Sequence, residues 1–137
     1  MANGVVHFEI MSHNGKRAQE FYAELFGWKI DANNPMNYGL VNTGEKKGVQ
    51  GGIGQVEAKQ MPYVTFYVGV DDPQKYLDKA VSMGGGVIMP VTTIPNMVTF
   101  ALFADPDGNM VGLVKNEPPA KQKRATAKKP AKSKRGK

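Results

Sequence analysis

Residues 7–30, HFEIMSHNGKRAQEFYAELFGWKI, form a stretch that occurs twice in this chain of 137 residues. Shifted by 58 positions, the stretch lies without a gap over residues 65–88, TFYVGVDDPQKYLDKAVSMGGGVI. The residue types that match set backbone shape: an alternating apolar strand, a helix N-cap (Asn14 and Asp72), a short helix and a glycine stop. A strand-helix-strand unit used twice in so short a chain predicts one pseudo-symmetric domain.

Hydrophobic periodicity extends each copy to a βαβββ module. In the first half we predict a strand over 5–11 and a helix whose apolar stripe, Ala18, Phe21, Tyr22 and Leu25, packs on a sheet. A second strand starts at Trp28, and a hairpin is formed by 38–42 and 48–55.

The second half repeats this order. We predict a strand over 63–70, a helix that begins at Pro73, a short strand over 87–89 and a PVTTIPN loop. The last hairpin, 97–104 and 109–115, turns at Asp105-Pro106-Asp107-Gly108, which suits a type I turn followed by a left-handed glycine.

The net charge of +6 is divided unequally along the chain. Residues 1–115 hold 9 Lys and Arg against 11 Asp and Glu, whereas residues 116–137 hold 9 against the single Glu117. The tail has no large apolar residue, so it cannot bury enough surface to offset the entropy of ordering. We therefore predict a domain over 1–115, with modules 4–56 and 62–115, and a disordered basic tail over 116–137.

The tail composition is typical of segments that neutralise phosphates without reading bases. A solubilising spacer, or a tail that folds back on the acidic domain, explains the same charges. If the tail binds DNA or RNA, the contacts come from its basic residues: Lys121, Lys123, Arg124, Lys128, Lys129, Lys132, Lys134, Arg135 and Lys137.

The repeated βαβββ order, together with FYAELFGWKI, YVTFYVGVDD and FADPDGNMVGLV, resembles the vicinal oxygen chelate superfamily. This is the family of glyoxalase I, bleomycin-resistance proteins and extradiol dioxygenases. The resemblance covers roughly residues 4–115 and implies an α+β fold, in which eight strands form a cup-shaped sheet around a cavity, in a homodimer.

The same resemblance implies where a metal would lie. Metal-binding members use one inward His, Gln or Glu from the first and last strand of each module. The corresponding positions here are His7, Thr65, Gly52 (or its neighbour Gly51) and Gly112. Zinc, nickel or iron needs at least three protein ligands, and Glu9 on the strand of His7 adds only one. We therefore expect no metal and no cofactor.

Glycines at positions 52 and 112 predict open space where relatives place ligand side chains. Residues whose strand parity points inward could bind a small molecule there, aromatic rings by stacking and polar groups by orienting it. The candidates are His7, Glu9, Trp28, Tyr38, Thr65 and Tyr67, with Gly52 and Gly112. His7 is either a structural histidine, hydrogen-bonded to Glu9 or to backbone, or a general base or ligand contact whose tautomer is held by that carboxylate.

Three functions remain open at this point. The first is a metal-free protein that binds or sequesters a small molecule, of the bleomycin-resistance type. The second is an enzyme of the glyoxalase and dioxygenase superfamily, a lyase or oxidoreductase, with His7 and Glu9 as acid and base. The third is a nucleic-acid-associated protein that works through its tail. No apolar run approaches the roughly 20 residues of a membrane span, and the absence of cysteine and of a signal peptide favours the cytoplasm.

Overall fold

The computed structural model describes residues 2–44, 46 and 48–116. The basic tail predicted from residue 116, and its proposed nucleic-acid contacts, lie outside these residues except for Asn116. The elements, in chain order, are β1 (Val5–Ser12), α1 (Gly15–Phe26), β2 (Lys29–Asp31), β3 (Gly39–Asn42), β4 (Gly51–Gln55), β5 (Tyr63–Val70), α2 (Pro73–Ser82), β6 (Gly86–Ile94), β7 (Val98–Ala104) and β8 (Met110–Lys115). This order confirms the two βαβββ modules.

The eight strands of the described part of the chain belong to one sheet, in the order β2-β3-β4-β1-β5-β8-β7-β6. The first strands of the two modules, β1 and β5, pair antiparallel at its centre, so the modules join within this chain. Each central strand has the last strand of its own module on its other side, and that pairing is parallel. Phe8 pairs directly with Phe66, its equivalent 58 residues later, so the pseudo-twofold axis passes through this pair.

The local signals that begin and end the helices act as predicted. Asn14 Oδ1 accepts a 3.0 Å hydrogen bond from Arg17 N, and Asp72 Oδ1 accepts from two backbone amides of α2. Gly27 ends α1 with φ 72°, a left-handed conformation that a Cβ atom disfavours. These contacts satisfy backbone groups that the helix ends would otherwise leave unpaired.

Both helices cover the same face of the sheet. On α1, Tyr22 stacks on Trp28 at 5.8 Å between ring centroids, and Trp28 packs on Phe8 of β1 at 5.4 Å. On α2, Leu77 packs with Val70 of β5 in a buried cluster. Phe8 and Val70 project to one face, because Phe8 lies opposite Phe66 and alternate residues of β5 share a face. Within the described residues, no helix covers the other face of the sheet.

The prediction that the apolar stripe of α1 packs on the sheet is wrong in part. Phe21 and Leu25 are each 57% exposed. Gly15 approaches the backbone of β4, and Gln19 Nε2 donates a 2.8 Å hydrogen bond to Ile53 O, so a different side of the helix meets the sheet. These contacts turn Phe21 and Leu25 towards solvent.

The prediction of a PVTTIPN loop over residues 90–96 is also wrong in part, because β6 continues from Gly86 to Ile94 and leaves only Pro95 and Asn96 of this stretch in a turn. Pro90 has no backbone N–H and is excluded from most central strands. Strand β6 lies at the edge of the sheet formed by the described residues and pairs there only with β7, with register shifts on either side of Met89. An edge position with irregular register accommodates the proline.

Candidate ligand-binding site

The candidate site lies on the sheet face opposite the helices. Glu9 lies opposite Thr65 on β5 and opposite Gly52 on β4. His7 lies opposite Tyr67, which in turn lies opposite Gly112 on β8. Directly opposed residues of neighbouring strands project to the same face, so the register gathers these predicted positions from both modules.

Glu9 is the centre of a hydrogen-bond network. Its side chain is only 8% exposed. Tyr38 Oη donates to Oε2 at 2.8 Å, and Tyr67 Oη donates to Oε1 at 3.0 Å. Tyr63 Oη also donates to Oε1, at 3.5 Å, the longest of the three bonds. A buried carboxylate is costly unless hydrogen bonds replace its hydration, and here three phenols supply them.

His7 joins this network through Tyr38 rather than through Glu9, the partner expected from the sequence. His7 Nε2 lies 2.9 Å from Tyr38 Oη. Tyr38 has a single hydroxyl hydrogen, which it gives to Glu9, so the hydrogen between Tyr38 and His7 must come from Nε2. In the neutral imidazole, Nδ1 is then a hydrogen-bond acceptor, and no hydrogen bond to it is formed within the described residues.

Burial shifts the pKa values of the whole network. It raises the pKa of Glu9 above 4.5, an effect that the hydrogen bonds from the three tyrosines oppose. It lowers the pKa of His7 below 6.5. Burial, and after it the Glu9 carboxylate, raise the pKa of Tyr63 to about 12 and those of Tyr38 and Tyr67 further. The phenols therefore stay protonated at neutral pH and act as donors to Glu9.

The open space predicted above the two glycines is filled. A Cβ atom at Gly52 would collide with Tyr38 Oη, and one at Gly112 would collide with the Tyr67 ring. The glycines therefore serve close approach of two tyrosines to the sheet, and the prediction that they leave room for a ligand is wrong.

Two of the predicted site residues, Trp28 and Thr65, take no part in the hydrogen-bond network around Glu9. Trp28 belongs to the aromatic cluster on the helix-covered face, with Phe8, Tyr22 and Phe26, so the structure separates it from His7 and Glu9. Thr65 lies beside Glu9 and is buried, but its hydroxyl donates a 2.7 Å hydrogen bond to Met110 O. Thr65 thus shares the face without a free donor.

Tyr63 and Phe100 belong to the candidate site but were not predicted from the sequence. Tyr63 precedes Thr65 and Tyr67 in the alternation of β5, so strand parity could have included it. Phe100 lies on β7 with its ring 6.3 Å from that of Tyr67 in an edge-to-face arrangement. No local pattern identifies Phe100, because its contact depends on the order of β5, β8 and β7 in the sheet.

The residues at the positions where the resemblance implies metal ligands do not fit a metal. Tyrosine rings occupy the space of side chains at 52 and 112, Thr65 bonds to backbone, and Glu9 already accepts from three phenols. Within the described part of the chain, no three His, Asp or Glu side chains come together as a metal site. Three ligands are the minimum for a stable zinc site in proteins.

Fold and sequence together define the class of protein: the chain belongs to the Glyoxalase/Bleomycin resistance protein/Dioxygenase superfamily, whose family model matches residues 4–113. This confirms the resemblance read from the repeated motifs. No helix in the described ranges has the length and apolar character of a membrane span. The homodimer expected from the resemblance stays a prediction.

Particular relatives can be named within this class. The chain is 31% identical over 111 residues to the candidate glyoxylase CFP32 of Mycobacterium tuberculosis (strain CDC 1551 / Oshkosh), covering 77% of this chain and 42% of the relative. It is 29% identical over 108 residues to a glyoxylase-like domain-containing protein of Didymella fabae, covering 74% of this chain and 84% of that protein. The chain thus spans about two fifths of the length of CFP32.

Solved structures share the fold. Methylmalonyl-CoA epimerase from Mycobacterium tuberculosis superposes with a TM-score of 0.61 at 17% identity, covering 87% of this chain and 91% of the epimerase. A glyoxalase/bleomycin resistance protein/dioxygenase superfamily member from Vibrio splendidus 12B01 gives a TM-score of 0.54 at 18% identity, with coverages of 84% and 100%. At these identities the likeness shows the fold alone.

Proposed function

We propose that this chain binds a small organic molecule without a metal, on the sheet face that carries His7, Glu9, Tyr38, Tyr63 and Tyr67. The observation that carries this proposal is the buried Glu9 carboxylate held by three phenols from both modules. A pre-arranged cluster of polar groups with shifted pKa values is typical of functional sites. The network holds its members at fixed positions before a ligand arrives, which reduces the entropy cost of binding.

The surroundings of the network suit a ligand with an apolar body. Leu40 lies opposite Gly52 on the same face and is 42% exposed, although its side chain is large and apolar. Phe100, whose ring packs against that of Tyr67, supplies an aromatic side chain on the other side of the centre. Apolar and aromatic walls around a few fixed polar groups are the usual composition of small-molecule sites.

Binding is tested with the full-length protein. Native mass spectrometry would detect a retained molecule, and amide chemical shifts during a fragment screen would locate the hits. We expect hits to move the amides of Leu40, Tyr63 and Phe100. If reproducible hits map only to the helix-covered face, around Trp28 and Phe21, the proposed site is wrong.

A second function, an acid-base enzyme, is favoured by the geometry of His7. Tyr38 holds Nε2 as a donor, so the lone pair of Nδ1 is the basic atom, and the lowered pKa keeps the imidazole neutral near pH 7. Such a base could remove a proton from carbon next to a carbonyl group. The metal-binding alternative is disfavoured by the donor set described above.

This enzymatic function is tested by exchange of solvent deuterium into aminoacetone and hydroxyacetone, followed by proton NMR in buffer with a chelator. We expect His7→Ala to abolish catalysed exchange. His13→Ala is the matched control, because His13 is exposed and bonds to Gln60 O outside the network. Exchange that survives His7→Ala would assign the base elsewhere.

A further inference from the structure

Every O–H and N–H donor of the polar network donates to another member of the network. Tyr38, Tyr63 and Tyr67 each give their one hydroxyl hydrogen to Glu9, and His7 gives its Nε2 hydrogen to Tyr38. While these bonds are formed, what remains for an incoming ligand is a set of acceptors: His7 Nδ1 and the free lone pairs of the phenol and carboxylate oxygens. We infer that the site selects ligands that donate hydrogen bonds, with ammonium groups preferred and carboxylates or phosphates rejected. This inference rests on the proposed function.

Glu9 Oε1 is the acceptor at which a ligand would disrupt the existing hydrogen bonds least. Its bond to Tyr63, at 3.5 Å, is at the limit of a hydrogen bond, whereas those of Tyr38 and Tyr67 are 2.8 and 3.0 Å. Tyr63 is partly exposed, while Tyr67 is 7% exposed. A donor on the ligand would therefore replace the Tyr63 hydroxyl and leave the buried part of the network intact.

The charge of the site favours the same ligands. No lysine or arginine among the described residues donates to Glu9, to its tyrosines or to His7. The neutral imidazole does not offset the carboxylate either, because burial disfavours its cation. An ammonium group placed here would pair with a partly desolvated negative charge, and an anion would meet repulsion in a weakly screened environment.

Three probes with one aromatic body test the selection: naphthylmethylamine, naphthylmethanol and naphthoate, each titrated into the ¹⁵N-labelled full chain at neutral pH. We expect shifts at Leu40, Tyr63 and Phe100, with the amine bound at least about tenfold more tightly than naphthoate and more tightly than the alcohol. Naphthoate binding as tightly as the amine would overturn the selection and leave the binding site standing. No binding by any probe at millimolar concentration would overturn both proposals.

The substitution Glu9→Gln tests whether the charge of Glu9 causes the preference for the amine, because it keeps the length of the side chain and removes the charge. We expect this variant to lose the preference for the amine over the alcohol. Glu57→Gln is the matched control, since Glu57 is an exposed carboxylate in the connector between the modules. If Glu9→Gln does not fold, the ranking of the three probes in the unchanged protein decides, because that ranking needs no variant. An amine preference retained in a folded Glu9→Gln protein would overturn the inference.

Discussion

Glu9 and Tyr67 occupy equivalent positions of the two repeats, 58 residues apart, and Tyr67 Oη donates a 3.0 Å hydrogen bond to Glu9 Oε1. Near a pseudo-twofold axis, equivalent residues meet, so two identical carboxylates here would repel each other. A carboxylate facing a phenol avoids this repulsion and supplies a donor. The duplicated fold thus keeps its backbone symmetry while its side chains differ at the centre.

The bond between these residues should be measurable in stability. We expect Tyr67→Phe to lower the free energy of unfolding by about 1–3 kcal/mol at neutral pH, because it removes a hydrogen bond to a buried carboxylate. Urea unfolding would measure the change. Tyr76→Phe, on helix α2, is the control and should change stability by less than about 0.5 kcal/mol. Equal effects of the two substitutions would contradict the assigned role of Tyr67.

The packing of Tyr38 over Gly52 gives a second prediction. Gly52→Ala should destabilise the protein by about 1–3 kcal/mol, because the new methyl group collides with the phenol. In a Tyr38→Ala background the same substitution should cost at least about 0.5 kcal/mol less, since the colliding group is gone. Gly4→Ala is the control, as a Cβ at Gly4 has no neighbour within 4 Å. Purely additive effects at 38 and 52 would exclude the contact.

The shifted pKa of Glu9 predicts how stability depends on pH. Its folded-state pKa lies above 4.5, so its contribution is present below pH 4.5 and is lost as the pH rises through the folded-state value. The stability of the unchanged protein relative to Glu9→Gln should therefore fall above pH 4.5 and then level off. Chemical unfolding at several pH values measures this difference. A difference that rises with pH would mean that the tyrosine bonds outweigh burial.

His7 should show the opposite dependence. Its folded-state pKa lies below 6.5, so its contribution is present above pH 6.5 and is lost as the pH falls through the lowered value. Relative to His7→Gln, the unchanged protein should gain stability as the pH rises towards 6.5. NMR titration of the His7 ring provides a direct check. A ring pKa above 6.5 would show that the Glu9 charge acts on it more strongly than burial does.

The donor set predicts the metal content. Elemental analysis of protein purified without chelator should give far less than one zinc, nickel, iron or manganese per chain, because Glu9 is held by phenols and tyrosines fill the space above the glycines. Added zinc should leave the melting temperature unchanged. A stoichiometric metal whose removal destroys ligand binding would show that this prediction is wrong and that the chain binds its ligand through a metal.

The basic tail supplies a prediction that is independent of the fold. If about five of its charges engage duplex phosphates, log K should fall with log salt at a slope of roughly −4 to −5, without sequence preference. Fluorescence anisotropy on random-sequence duplex would compare the full-length protein with a version that ends at Lys115. Equal binding by both forms would remove the tail from nucleic-acid binding.

The elements that local chemistry determines could be predicted from the sequence. The caps at Asn14 and Asp72 and the turn at Gly108 depend on neighbouring residues, and the structure has them as predicted: Gly108 has φ 90°, and its N–H donates to Asp105 O at 2.9 Å. Strand β6 and the orientation of α1 could not be predicted in the same way. Whether Pro90 is tolerated depends on an edge position, and the orientation of α1 depends on contacts with β4.

The site was predictable to the extent that strand parity determines it. His7 and Glu9 share a face because alternate residues of a strand do, and Tyr67 follows from the offset of 58. The bridge from His7 through Tyr38 to Glu9 was not predictable, because it needs the pairing of β1, β4 and β3. The prediction that Gly52 and Gly112 leave open space failed because glycine has no side chain. The space beside it can hold a neighbouring ring as readily as a ligand, and only the packed structure shows which is present.

If the proposed site binds a ligand, the difference between Glu9 and Tyr67 also determines in which direction that ligand lies. A duplicated fold with equivalent centres could accept a ligand in either of two orientations related by the pseudo-twofold axis. Here the carboxylate and the imidazole both lie on β1 of the first module, while the aromatic ring of Phe100 lies on β7 of the second. A titration should saturate at one ligand per chain, and every bound molecule should point the same way.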